Sequence, residues 1–327
     1  MVTCGACQTK NFISGDLPQF DTVPCSKCGH PVMLPVSLQQ FELRAVIASG
    51  GMGTVFSAFD VNLQRNVALK MMKREMAEDQ EVLESFYREA RAGASLNHTN
   101  IIHIYTFDEI EGQPYLVMEV ANNGSLDTRI SNEGSVPELD VLDIGIKIAS
   151  ALDSALRHNL LHRDIKPGNI LFNHDAPPEP KLVDFGLARQ AEMDQGIPCE
   201  TTVWGTPYYV APEKIRREPE TFLSDLYSLG GTLYHALTGH VPFEAPTVQD
   251  LVAAHVHTAL TPPNLVLPEI SPATSDALVR AMAKDPVNRF QSYDELIMAL
   301  TASRSELLLN RYNQPLAGES KSWWRKK

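Results

Sequence analysis

The spacing of apolar residues changes character along the chain and predicts strands first and helices later. From Phe41 to Asp60, FELRAVIASGGMGTVFSAFD alternates apolar and small residues around a glycine cluster, the pattern of two strands joined by a tight turn. The run VALK ends in Lys70 on a further apolar strand, where an ammonium group has no structural use and is costly without a partner. Between Glu81 and Leu96 the positions Leu83, Phe86, Tyr87, Ala90 and Ala94 fall at helical spacing, which predicts one helix. A strand returns at YLVMEV, Tyr115 to Val120, and leads into the turn-rich ANNGSL. Beyond it Leu142, Ile146, Ala149 and Leu152 share one face of the segment from Val141 to Leu156, so a core helix is expected there. Near the end, Pro272 after Ser271 suits a helix start, and Ser292 with Glu295 forms a capping box before LIMAL.

Ahead of Phe41 the organising residues are cysteines. Cys4 with Cys7 and Cys25 with Cys28 make two CxxC pairs separated by the stretch 8–24, a zinc-ribbon spacing. Each pair presents two thiolates from a tight turn, with Gly5 and Gly29 easing the backbone, and four thiolates close a tetrahedral shell around a structural ion. A segment of about thirty residues buries too little apolar surface to fold alone, so the metal supplies folding free energy. Paired disulfides and a redox dithiol compete with zinc; the N-terminus MVTCGACQTK lacks the apolar core of a signal peptide, which weighs against the first, and the duplicated pairs weigh against the second. His30 reads as a surface histidine and Cys199 stands alone. With only Lys10 and Lys27 as cations, the ribbon is expected to contact protein. HPVMLPV, with Pro31 and Pro35, reads as a short extended linker, so ribbon and linker span 1–36.

A length of 327 residues exceeds a single comfortable core and fits two lobes plus an appendage. The 43% hydrophobic and 21% charged shares exclude wholesale disorder. No run approaches the length of a membrane span, and a soluble, cytoplasmic protein is expected. The net charge of −12 argues against nucleic acid as a general partner. The basic exception is KSWWRKK, 321–327, whose composition suits weak contact with an anionic membrane surface; a disordered tail over 304–327 is the plainer expectation.

The chemistry concentrates in HRDIKPGN, His162 to Asn169, and in DFG, which opens at Asp184. The first run offers a carboxylate at Asp164 able to take a hydroxyl proton, a cation at Lys166 able to neutralise phosphate, and an amide oxygen at Asn169 able to ligate a metal; Asp184 adds a metal-binding carboxylate.

On these motifs the chain from about Phe41 to about Leu300 resembles a eukaryotic-type protein kinase, in the phrasing of bacterial serine/threonine kinases. The resemblance implies an α+β, bilobal fold over 37–303, with a small mainly-β lobe carrying one helix (about 41–119) and a large mainly-α lobe (about 120–303), preceded by the zinc ribbon. It implies MgATP as cofactor, a clamp on phosphate from Gly50, Gly51 and Gly53, and Val55 and Ala68 against the nucleotide. Ala48 stands where such kinases begin the clamp with glycine. Lys70, paired with Glu89, would reach the α and β phosphates; Met118 would back the adenine pocket, with the backbones of Glu119 and Ala121 on the adenine edge. Asp164 would accept the proton, Lys166 stabilise the transferring group, and Asn169 and Asp184 hold Mg²⁺.

Lys166 followed by Pro167, with Thr206 in WGTPYYVAPE, resembles serine/threonine kinases, so the implied substrates are protein Ser and Thr hydroxyls. Thr202, then Thr201, are the candidate sites of an activating autophosphorylation, with Arg163 as a cation for the phosphate. Glu213 and Arg289 resemble a buried ion pair, and Asp225 an acceptor for the catalytic-loop backbone. Because no catalytic group precedes Phe41, loss of zinc is expected to unfold the ribbon and leave ATP binding intact. Two other readings stay open. A nucleotide-binding pseudokinase scaffold has Ala48 as its support, and a zinc-ribbon nucleic-acid binder with an accessory fold is disfavoured by charge.

Overall fold

A computed structural model describes residues 1–18, 20–50, 53–173, 176–185, 189–190 and 207–313. The N-terminal segment makes two small hairpins, β1 (Val2–Thr3) with β2 (Lys10–Asn11) and β3 (Val23–Pro24) with β4 (Pro31–Val32). Each carries one CxxC pair in its turn. The knuckles share one bonding pattern: the Cys4 amide donates to the Thr9 carbonyl and the Gln8 amide to the Cys4 carbonyl, as Cys25 does to His30 and Gly29 to Cys25. The left-handed position is Gln8 in the first knuckle (φ 58°) and Gly29 in the second (φ 74°), so Gly5 is not the residue that eases the first turn.

A six-stranded antiparallel sheet follows, built from β5 (Val36–Leu38), β6 (Phe41–Ser49), β7 (Gly53–Asp60), β8 (Arg65–Met72), β9 (Ile104–Ile110) and β10 (Gln113–Met118) in the order β5-β6-β7-β8-β10-β9. Between β8 and β9 run the short α1 (Arg74–Ala77) and the expected helix, α2 (Gln80–Ser95). Alternation along β8 divides the sheet's two faces. Val67, Leu69 and Met71 join Leu43, Val46, Phe56, Tyr115 and Val117 in one buried cluster, while Met72 packs with Phe86 and Ala90 of α2 and with Ile104 and Leu116.

The stretch HPVMLPV is not a linker. Pro31–Val32 closes the second ribbon hairpin and Val36–Leu38 is the edge strand of the sheet. Met33, Val36 and Leu38 are 1%, 8% and 1% exposed within the cluster on the outer face of the sheet. Their apolar side chains gain more from that burial, about 25 cal/mol per Å², than an exposed spacer would.

The large lobe is mainly helical: α3 (Leu126–Glu133), α4 (Glu138–Arg157), the short strands β11 (Leu160–Leu161), β12 (Ile170–Phe172), β13 (Pro180–Leu182) and β14 (Arg189–Gln190), then α5 (Pro212–Ile215), α6 (Phe222–Thr238), α7 (Val248–His257), α8 (Pro263–Val266), α9 (Pro272–Ala281) and α10 (Tyr293–Asn313). The start of α9 is capped at Ser271 as the sequence suggests, and other helix starts are capped in the same way. The Ser125, Thr247 and Ser271 side chains accept from the amides of Thr128, Asp250 and Thr274, and Thr221 with Ser224 closes a capping box. At α10 the box is offset: the Glu295 amide donates to Ser292, but the Glu295 carboxylate takes the Gln291 amide. α4 lies between α6 and α10, and Gly145 permits the approach, since a Cβ there would stand 2.8 Å from a Leu233 methyl and 3.0 Å from a Leu300 methyl.

α10 also corrects the expected tail. Residues 304–313 continue the helix because Arg304 pairs with Asp143 of α4 at 2.5 Å and Leu307 packs on the large-lobe core; residues 314–327, with KSWWRKK, lie outside the described residues.

Beneath α6, Arg289 meets Glu213 through two bonds of 2.7 and 2.8 Å, with side-chain exposures of 0% and 3%. Burial pushes the Glu213 carboxyl up, but Arg289 and then Ser224 outweigh it and hold the group below its ordinary 4.5. Arg289→Met therefore strands a buried carboxylate and should cost about 3–5 kcal/mol in urea unfolding at neutral pH. The sign on the acid side follows from the depressed value: the pair's contribution is complete above pH 4.5 and is lost as pH falls through the lower folded value, so the gap between wild type and variant should narrow there.

Candidate active site

The loop after β11 is held from below by α6. The Asp225 carboxylate, 2% exposed, accepts the backbone amides of His162 and Arg163 at 2.7 Å each. Arg163 has φ 67°, a conformation uncommon for a non-glycine residue, and these two bonds keep it there. Burial pushes the Asp225 carboxyl up, against the donors that favour its charged form. His162 is fully buried. Its Nε2 faces the Val183 carbonyl at 2.9 Å and its Nδ1 faces the Asp164 amide at 3.3 Å, so the bonding assigns the ring proton to Nε2. The ring meets Phe185 edge-on, with centroids 4.7 Å apart.

Asp164 then points into the cleft beside its expected partners. Lys166 Nζ donates to Asp164 Oδ2 at 2.7 Å, and Asn169 Nδ2 donates to the same oxygen at 3.0 Å and to the Asp164 carbonyl at 2.8 Å. With its nitrogen committed, Asn169 keeps its amide oxygen as the ligand atom.

The two lobes meet at Lys70 and Asp184. Nζ of Lys70 donates to Asp184 Oδ1 at 2.9 Å; Lys70 is 15% exposed, and the Asp184 side chain opens to the cleft at 51%. Asp184 has φ 63°. Desolvation pushes its carboxyl up, and Lys70, through charge and hydrogen bond, with Lys166 behind it, outweighs that and holds it below the carboxylate range. One carboxylate thus feels cations from both lobes.

Strand register gathers the expected nucleotide wall: Val55 lies opposite Lys70 and Ala68 opposite Met118. Ala48 is exposed and opposite Val55, and the hairpin is closed by the Gly50 amide donating to the Gly53 carbonyl at 2.9 Å. A Cβ on Gly53 would stand 2.4 Å from the Met71 carbonyl, so only glycine fits. Past β10, the Glu119 amide donates to the His103 carbonyl at 2.8 Å, and Ala121 is buried. Gly51, Thr201, Thr202 and Thr206 lie outside the described residues, as do Cys199 and the side chain of Glu89.

Sequence reasoning passed over Lys181. It is 7% exposed on β13, and its ammonium meets the Glu119 carboxylate at 2.5 Å, pinning the crossing between lobes from behind. A lysine between Pro180 and Leu182 in a short buried strand was the signal, since such a cation requires a partner.

The four ribbon cysteines converge as well. Their Sγ atoms lie within 4.8 Å of one another, with Cys4 and Cys28 at 3.7 Å and Cys7 and Cys25 at 3.6 Å. These separations are far longer than an S–S bond of about 2 Å, and the group can hold a metal ion. Backbone amides of Lys27 and Cys28 lower the Cys25 thiol to about 6, opposed by burial and helped by Asn11, whose Nδ2 donates to its sulfur. At Cys28 the His30 amide favours the thiolate, yet the crowding of Cys7, Cys4 and Cys25, with burial, pushes the thiol up to about 12. Four thiolates in one cage repel, and a cation relieves that repulsion.

Among the described residues no helix is long and apolar enough to cross a membrane. The family model described as protein kinase domain matches residues 41–299. The chain is 34% identical over 259 residues to a probable serine/threonine-protein kinase of Clostridium perfringens, covering 79% of this chain and 37% of that protein. It is 33% identical over 257 residues to the serine/threonine-protein kinase PrkC of Bacillus subtilis (79% and 39%). It is 32% identical over 280 residues to the serine/threonine-protein kinase PknB of Mycobacterium leprae (84% and 44%). The chain thus spans about two fifths of the length of these relatives. With the two-lobed fold and the family match over 41–299, the chain belongs to the protein kinase domain family.

Proposed function

We propose that the chain is an ATP-dependent serine/threonine protein kinase that transfers the γ-phosphoryl group of MgATP to Ser and Thr hydroxyls of proteins. The reading is carried by one observation: Lys70 of the small lobe meets Asp184 at 2.9 Å, beside a loop on which Asp164, Lys166 and Asn169 are within hydrogen-bond reach of one another. In the proposed step the substrate hydroxyl gives its proton to Asp164, its oxygen bonds to the γ-phosphorus, and the bond to the β-phosphate oxygen breaks to release ADP. Lys166 neutralises the transferring group and Lys70 turns to the α and β phosphates. Asn169 and Asp184 would hold Mg²⁺, which supplies charge neutralisation on the phosphates. Thr202 and Thr201 are the proposed sites of loop autophosphorylation, and the need for ATP puts the enzyme's work in the cytoplasm.

Transfer of labelled phosphate to the protein itself, or to a generic Ser/Thr substrate, should fall about 100-fold or more in Asp164→Asn, with retention of fluorescent ATP-analogue binding. Equal incorporation by wild type and variant would reject the assignment, and binding without incorporation by either would favour the pseudokinase reading that Ala48 suggests. Mass spectrometry after incubation with MgATP should find the phosphate on Thr202 or Thr201.

We further propose that the ribbon cage holds one structural Zn²⁺ through Cys4, Cys7, Cys25 and Cys28. Support comes from the paired sulfur separations of 3.6 and 3.7 Å, close to the ~3.8 Å edge of a tetrahedron with Zn–S near 2.3 Å. The ribbon's exposed Phe12, 83% accessible, suits a protein partner better than nucleic acid. Metal analysis of the purified chain should return one zinc per chain, and Cys25→Ser should lose most of it. A wild-type chain free of zinc, with two disulfides by mass, would overturn the proposal.

A further inference from the structure

The phosphotransfer reading leaves the ribbon unused, and the ribbon is not a separate bead. Met33, 1% exposed, lies in the small-lobe cluster with Leu43, Val46 and Phe56. Phe20 packs against Phe56 with ring centroids 6.3 Å apart. A Cβ built on Gly5 of the first knuckle would touch the Ala45 Cβ at 3.9 Å. The Met33 cluster also takes in residues of β8 and β10, but the ring contact falls on β7 and the close approach of Gly5 falls on β6, the strands whose hairpin is the proposed phosphate clamp.

The fourth contact is the most pointed. β6 is irregular, its register against β7 shifting between Leu43 and Ala45 and again between Val46 and Ala48. A bulge disturbs the ladder and leaves backbone groups in need of other partners. The Val46 carbonyl accepts from His30 Nε2 at 3.1 Å. Two residues further on, Ala48 pairs with Val55 at the start of the clamp. His30 follows Cys28 and Gly29, and its own carbonyl accepts the Cys25 amide at 2.8 Å. One residue therefore closes the metal knuckle with its backbone and props the bulge with its side chain. The half-buried His30 is not the idle surface residue expected from sequence.

We propose that the ribbon is a metal-dependent brace of the nucleotide clamp: a cation in the four-cysteine cage holds His30 and Met33 against β6, and its loss slackens the β6–β7 hairpin and weakens nucleotide binding. The inference rests on the kinase reading for the nucleotide and on the cage for the metal. It reverses the expectation that zinc loss leaves ATP binding intact, an expectation drawn from the absence of catalytic groups before Phe41 and blind to packing. Linkage makes the effect reciprocal, so bound nucleotide tightens metal binding by the same factor that metal tightens nucleotide.

Two readouts on the full chain test it. Hydrogen exchange without nucleotide should quicken over residues 41–60 after zinc is chelated, while α6 amides stay unchanged. Titration with a fluorescent ATP analogue in excess Mg²⁺ should give a dissociation constant about tenfold weaker in the metal-free chain, within the usual range of coupling. His30→Ala removes no cage ligand; it should keep one zinc per chain and move both readouts in the same direction. That variant carries the test if the metal-free chain unfolds entirely. Unchanged exchange over 41–60 in zinc-loaded His30→Ala, or altered exchange with unaltered nucleotide affinity, overturns the brace. Altered exchange together with no nucleotide binding by the wild type sinks the kinase reading instead and leaves the mechanical contact standing.

Discussion

The whole cleft hangs on a carboxylate that never touches it. Asp225 sits in α6, buried, and its two oxygens take the amides of His162 and Arg163 at 2.7 Å. Those bonds hold a left-handed Arg163 that would otherwise cost on the order of 1–3 kcal/mol. From there the order passes outward. His162, fixed by its backbone, uses its ring to reach the Asp164 amide on one side and the Val183 carbonyl on the other. The two acids of the proposed reaction, Asp164 and Asp184, come from separate segments, yet both are registered to one imidazole. α6 can serve as the anchor because it is itself clamped, by Gly145 on α4 and by the Glu213–Arg289 pair, whose arginine also donates to the Leu223 carbonyl at 2.7 Å.

The gathering of Asp164, Lys166 and Asn169 was legible in the sequence because the chemistry proposed for them demands particular residue types at short spacing. HRDIKPGN packs three of the groups into eight positions, and a loop that short brings Lys166 and Asn169 to Asp164 almost by its length alone. α2 and α4 were legible too, since an apolar stripe is written locally. Three departures share one cause, a dependence on tertiary partners. HPVMLPV looks like a spacer until the outer face of the sheet is present to bury Met33 and Val36. The end of α10 looks like a tail until α4 offers Asp143 to Arg304. Lys181 is an isolated lysine in the sequence, and its significance appears only when Glu119 folds back onto it.

The ribbon and small lobe illustrate the same dependence at the scale of domains. A sheet of six strands has two faces to cover, and α2 covers only one, against Met72, Phe86 and Leu116. The other face carries Leu43, Phe56, Leu69, Met71 and Val117, and an exposed patch of that composition would be an aggregation liability. Met33, Val36, Leu38 and Phe20 lie on it. The ribbon, too small to fold on apolar burial alone, gains a second source of stability from the sheet, and the sheet gains a cover. Neither part is then an independent unit, which is why the metal cage and the clamp share a mechanical fate in the proposal above.

Among the described residues two ion pairs span the junction of the lobes, and they differ in kind. Lys181–Glu119 is shielded, at 9% and 21% side-chain exposure, and its removal would leave a charge with little access to water. Lys70–Asp184 opens onto the cleft, with half of the aspartate side chain accessible, so its partners can be replaced without stranding either group. That difference suits the proposed reaction. In the proposed complex with MgATP, Asp184 would exchange an ammonium for a metal ion while Lys70 would exchange a carboxylate for phosphate, so each group would keep an opposite charge beside it. A buried pair could not make such an exchange at comparable cost, whereas a fully solvated one would not hold the lobes in register beforehand. The intermediate exposure of Lys70–Asp184 meets both demands.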